Sequence, residues 1–66
     1  MGKKIVAARP LPSGHVITER DVVIKSPGDG LPPTELERVL GRRLLGAVEA
    51  DANITLALVD LPVETV

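Results

Sequence analysis

Ile5-Val6-Ala7-Ala8-Arg9-Pro10-Leu11-Pro12-Ser13-Gly14 opens with four apolar residues and closes with two prolines and a glycine. The apolar run has the length of a short buried strand, and the proline–glycine cluster ends it in a turn. Val16-Ile17 resumes an extended path. Thr18-Glu19-Arg20-Asp21 has the form of a capping box, with Thr18 on the amide of Asp21 and the Asp21 carboxylate reaching back. One helical turn is the predicted result. Val22-Val23-Ile24-Lys25 is β-branched and predicts a second strand.

The same order returns at an offset of 37 residues. Leu44-Leu45-Gly46-Ala47-Val48 predicts a buried strand, Glu49-Ala50-Asp51-Ala52-Asn53 a turn, Ile54-Thr55 an extended pair, and Leu56-Ala57-Leu58-Val59-Asp60 a short helical turn. Leu11 then matches Val48, Ile17 matches Ile54, Thr18 matches Thr55, and Val22 matches Val59. Two copies are too few for a solenoid. They predict two pseudo-symmetric halves packing their apolar faces together in one body.

Between the copies, Ser26-Pro27-Gly28-Asp29-Gly30 is the strongest turn signal in the chain, with Asp29-Gly30 supplying a residue tolerant of positive φ. Pro32-Pro33 leads into the one clear helix. Thr34 is its expected N-cap, with Glu37 closing a capping box, and Gly41 its expected C-terminal stop. Leu36, Val39 and Leu40 share one face. The helix is too short to stand alone and must be held by packing. The predicted core is Ile5, Val6, Leu11, Ile17, Val22, Ile24, Leu36, Val39, Leu40, Leu44, Val48, Ile54 and Val59.

Composition narrows the function. Sixty-six residues make one small domain, spanning 1–66 with its core in 3–60 and a tail at 61–66. A domain this small buries only about 60% of its unfolded surface. There is no Cys to staple it, and the single His, His15, cannot build a zinc site, so neither metal nor cofactor is expected. With no Phe, Tyr or Trp, the core must be aliphatic. A net charge of -1 and the missing aromatics argue against nucleic acid as partner. No apolar run reaches membrane-spanning length, and the run before Arg9 is too short for a signal-peptide core. A cytoplasmic location is the expectation, compatible with the absence of Cys.

The motifs, taken in order, resemble the SAF family of antifreeze-like domains. Ile5 to Gly14, Val16-Ile17-Thr18 and Asp21-Val22 are similar to the opening of that family, with Pro10 standing where Asp is frequent. Lys25-Ser26-Pro27-Gly28-Asp29-Gly30, Leu40-Gly41-Arg42-Arg43-Leu44, Ala50-Asp51 and Ile54-Thr55 resemble the antifreeze-like domain of bacterial sialic acid synthases. The resemblance covers residues 3–60. It implies a mainly β, single-domain β-clip with short helical turns.

It also implies a parent reaction, the condensation of phosphoenolpyruvate with N-acetylmannosamine on a metal-dependent (β/α)₈ barrel. In that family the domain of one subunit covers the barrel mouth of its partner, and an Arg near its first strand reaches the sugar. Lys3 stands nearest that position, with the charge but without the bidentate fork. Arg42 is the second candidate for substrate contact. A barrel needs about 250 residues, so the 66 residues here are expected to be non-catalytic, acting as a substrate-capping and dimer-contact domain.

Two rival readings stand beside it. Type III antifreeze proteins of fish share this fold, and the surface resembling their ice site is Arg9, Pro10, Ser13, Gly14, His15, Val16, Thr18, Glu19, Arg20, Asp21 and Arg43. Thr18 and Val16 suit ice, whereas Glu19, Arg20, Asp21 and Arg43 do not, because unpaired ions resist desolvation. Similar domains also occur in pilus and flagellar assembly proteins, which would make this an interaction module. Simpler readings cover single residues: His15 as a solvated turn residue, Arg42-Arg43 as a solvated pair flanking a strand, Pro27 to Gly30 as a structural turn, and Glu19, Asp21 and Asp60 as caps and solvated charges.

Overall fold

A computed structural model describes residues 2–60; the expected tail at 61–66 lies outside them. Strand β1 is Lys4–Ala7 and strand β2 is Val22–Lys25. They pair antiparallel with Ile5 opposite Ile24 and Ala7 opposite Val22. A 3₁₀ turn at Glu19–Asp21 enters β2. A second 3₁₀ turn, Pro33–Glu35, runs into helix α1, Leu36–Val39, and a third lies at Leu56–Leu58. Leu56–Leu58 is Glu19–Asp21 displaced by 37 residues.

That offset governs the backbone throughout. Leu11 and Val48 each donate an N–H to the other's carbonyl at 2.9 Å. The Ala8 amide donates to Asp21, and its equivalent Leu45 donates to Leu58, both at 2.8 Å. The Gly14 amide donates to Leu44, and the Asp51 amide to Ala7, again both at 2.8 Å. The isolated bridge between Val16 and Arg43 has its mate in Val6 and Asn53. Thr18 (φ -119, ψ 169) and Thr55 (φ -122, ψ 162) adopt one conformation ahead of their turns. The predicted pseudo-two-fold is therefore present. The halves exchange backbone hydrogen bonds along their contact, and the Leu11–Val48 exchange sits on the axis.

The core is Ile5, Val6, Ala7, Leu11, Ile17, Val22, Val39, Leu44, Ile54 and Val59, with Leu36, Leu40 and Val48 half-buried against it. Two expectations are corrected. Ile24 is 40% exposed, because β2 pairs only with β1 and lies at the margin while β1 bonds on both edges. Leu44–Val48 is not a regular strand. Leu44 bridges Val59 and Val48 bridges Leu11, but the chain bends between them and leaves Leu45 62% exposed.

The helix also begins otherwise than expected. Pro32 and Pro33 carry the fixed φ that suits a helix start. The Glu35 amide therefore closes on Pro32 at 2.9 Å, one turn early. Thr34 falls inside that 3₁₀ turn and Glu35 takes the cap position of α1. Gly41 ends the helix as expected, at φ +78. The tolerance of positive φ that Asp29-Gly30 offers is not used; positive φ falls at Gly2, at Gly14 and at its mate Asp51 as well as at Gly41. The Pro27–Gly30 turn needs glycine for close approach: a Cβ on Gly28 would lie 2.9 Å from backbone atoms of Gly2 and Lys3. No helix among the described residues is long and apolar enough to cross a membrane.

Leu44 and Leu45 are chemically alike and adjacent, at 1% and 62% exposure. Leu44→Ala is expected to cost about 2–5 kcal/mol and Leu45→Ala less than about 0.5 kcal/mol. Urea denaturation of the two variants measures the contrast.

Candidate functional site

The polar structure of the first half gathers on Asp21, which is fully buried. The chain places it there because Glu19–Asp21 is a 3₁₀ turn whose last residue points inward, as Leu58 does at the equivalent position. Asp21 Oδ2 accepts the Thr18 amide at 2.8 Å and the Thr18 hydroxyl at 2.8 Å. His15 Nε2 stands 2.8 Å from the same oxygen. The other oxygen, Oδ1, accepts a hydrogen bond from Arg9 Nη2. Arg9 also donates through Nη1 to the Arg20 carbonyl at 3.2 Å, and its side chain stays 54% exposed.

Burial pushes the Asp21 carboxyl upward. The His15 hydrogen bond opposes this, followed by the Thr18 amide, the Thr18 hydroxyl and the His15 charge. Together they outweigh burial and lower it from 3.8 to about 2. Asp21 is thus an ionised carboxylate with both oxygens occupied.

Two sequence expectations change here. Asp21 is not part of the ice-site-like surface; it lies beneath it. His15 is not a solvated turn residue, being half-buried and anchored to Asp21. The Thr18–Asp21 capping box is present as expected. Arg9, Pro10, Ser13, Gly14, Val16, Thr18, Glu19, Arg20 and Arg43 are exposed. The Val16–Arg43 bridge brings Arg43 to the same side. The Arg9–Asp21 pair was missed, although the repeat held the signal: it aligns Asp21 with Leu58, an inward apolar position.

The two expected substrate contacts do not share a depression. Lys3 is exposed and lines a depression of about 380 Å³ with Gly2, Ser26 and Pro27. Arg42 does not line it. Its equivalent by the repeat is the core residue Ile5, so it is half-buried, and its Nε has no acceptor among the described residues. Arg42-Arg43 is therefore not a solvated pair; Arg43 is exposed and Arg42 is half-buried. Lys4 holds Asp29 at 2.7 Å and Lys25 holds Asp51 at 2.5 Å, ties between segments 25 and 26 residues apart. The Lys4 hydrogen bond and charge lower the Asp29 carboxyl, but Asp29 is exposed and the gain is small.

This arrangement is that of an antifreeze-like β-clip, and the SAF domain pattern matches residues 4–60. The chain belongs to the SAF domain family. Among solved structures it is similar to the antifreeze-protein-like domain of human N-acetylneuraminic acid phosphate synthase, with 28% identity and a TM-score of 0.84, covering 96% of this chain and 81% of that one. No curated protein matches the chain.

The depressed Asp21 acidity carries a sign. Its stabilisation is complete above about pH 4 and is lost as pH falls through about 2, a contribution of about 2 kcal/mol. Stability measured by circular dichroism should decline over that window, and Asp21→Asn should remove that part of the decline. On the surface above, Arg9, Glu19, Arg20 and Arg43 are exposed charges. Thermal hysteresis is expected to be absent and ice crystals to stay round. Faceted crystals would show that these ions do not spoil the ice plane.

Proposed function

We propose that this chain serves a sialic acid synthase as a non-catalytic cap. In this reading it covers the mouth of a (β/α)₈ barrel in a partner subunit, which condenses phosphoenolpyruvate with N-acetylmannosamine. The cap limits solvent entry and contributes to the dimer contact. It works in the cytoplasm and carries no cofactor of its own.

The observation behind this is the likeness to the human synthase domain over 96% of the chain. The depression at Lys3 supports it, because an exposed ammonium in a depression otherwise lined by the uncharged Gly2, Ser26 and Pro27 suits a sugar hydroxyl or carboxylate. Arg42 supports it in a second way. A buried N–H without an acceptor is unfavourable by about 1–3 kcal/mol, and an oxygen supplied from outside the described residues would satisfy it.

The test supplies this chain to a sialic acid synthase barrel stripped of its own cap. The wild-type chain should restore activity. Lys3→Ala should raise the sugar KM about tenfold with little change in kcat. No restoration by the wild-type chain would sink the cap, and an unchanged KM would sink the role of Lys3 alone.

A further inference from the structure

The internal repeat acts as a control for the Asp21 cluster. In the second half, Gly46 replaces Arg9, Ala52 replaces His15, Ala57 replaces Arg20 and Leu58 replaces Asp21. The second half nonetheless forms the same 3₁₀ turn. The Leu58 amide closes on Thr55 at 3.1 Å as the Asp21 amide closes on Thr18 at 3.0 Å, and Val59 and Val22 follow in matching extended conformations. The turn therefore does not require the carboxylate. A buried ion pair commonly gains nothing over well-packed apolar residues. Folding alone does not account for four polar groups converging on Asp21.

What the cluster does is hold two side chains at the surface. Arg9 has both Nη atoms hydrogen-bonded within the chain, and its side chain stays 54% exposed. Ionised Asp21 can only accept, so His15 Nε2 carries the proton it donates. The charge that acts on Asp21 belongs to the doubly protonated ring; with one proton, on Nε2, the ring leaves Nδ1 as the bare acceptor. It makes no hydrogen bond among the described residues and is not sealed from solvent. Arg9 and His15 thus each hold one oxygen of the same carboxylate, so a donor group and an acceptor group share one buried anchor. Arg20 and Arg43 are exposed nearby and Glu19 is the exposed acid, so the surroundings favour an anion.

We propose that Arg9 and His15, positioned by Asp21, form a binding site for a small hydroxylated oxyanion. Arg9 takes the oxyanion, and His15 Nδ1 accepts a hydrogen bond from the neighbouring hydroxyl. A hydroxycarboxylate and the hydroxyl-bearing phosphate monoanion share this chemistry. The site stands apart from the depression at Lys3 and does not depend on the capping role.

Two-dimensional NMR of the ¹⁵N-labelled chain tests it, with glycolate, acetate and inorganic phosphate as probes. Glycolate and phosphate should give saturable shifts centred on Arg9 and His15, with glycolate binding more tightly than acetate, which lacks the hydroxyl. Asp21→Leu copies the second half, so it should stay folded while affinity falls about tenfold or more. Should that variant unfold, Arg9→Gln and His15→Ala report instead, each with the same loss expected. Linear, unsaturated shifts in the wild-type chain, or wild-type affinity in these variants, would overturn the site. Equal affinity for glycolate and acetate would overturn the part given to His15.

Discussion

Leu11 and Val48 exchange their backbone hydrogen bonds across the pseudo-two-fold axis, and the rest of the chain is arranged around that exchange. Neither half has enough apolar surface to fold by itself. With no aromatic residue and no disulfide, burial must come from Ile, Val, Leu and Ala packed without gaps. Interleaving the halves achieves this. The Ile17 amide donates to Arg42 and the Ile54 amide to Ile5, so each half completes the backbone of the other. The same relation places Ile17 and Ile54, Ala7 and Leu44, and Val22 and Val59 in one core.

The axis makes the backbone equal but leaves the side chains free to diverge. At one end the inward position is Asp21, ringed by Arg9, His15 and Thr18. At the other end it is Leu58, with small uncharged neighbours. One frame thus carries a face built on a buried carboxylate and another built on a leucine. This is how a domain too small for a deep cleft acquires distinct surfaces: the fold supplies the position and the substitutions supply the chemistry. The depression at Lys3 arises separately, where Gly28 lets its turn close against Gly2 and Lys3.

Much of this was legible in residue order. The Ile5–Ala8 run marked β1 to within one residue, and the Thr18–Asp21 box marked its 3₁₀ turn. The repeat located the third 3₁₀ turn and the axis. Local patterns did not show how far each side chain lies from the centre. Ile24 carries the same β-branched signal as Val22, and Leu45 the same apolar signal as Leu44, yet only one of each pair is buried. A polar residue in a capping box reads as solvated, so Asp21 was placed at the surface with Glu19 and Asp60. Asp51 stands at φ 66 with no glycine to mark it, since a short polar side chain tolerates that region.

The sequence by itself determined the repeat, the aliphatic core, the turn positions and the family resemblance, because those rest on residue type and spacing along the chain. Only the tertiary structure decided that Asp21 is buried, that Arg9 and His15 meet on it, that Lys3 lines a depression without Arg42, and that Arg42 Nε lacks an acceptor among the described residues. Those facts depend on how far the two halves turn about their common axis before they pack. Spacing along a chain sets which residues share a face; the packing of the second half sets which faces are covered.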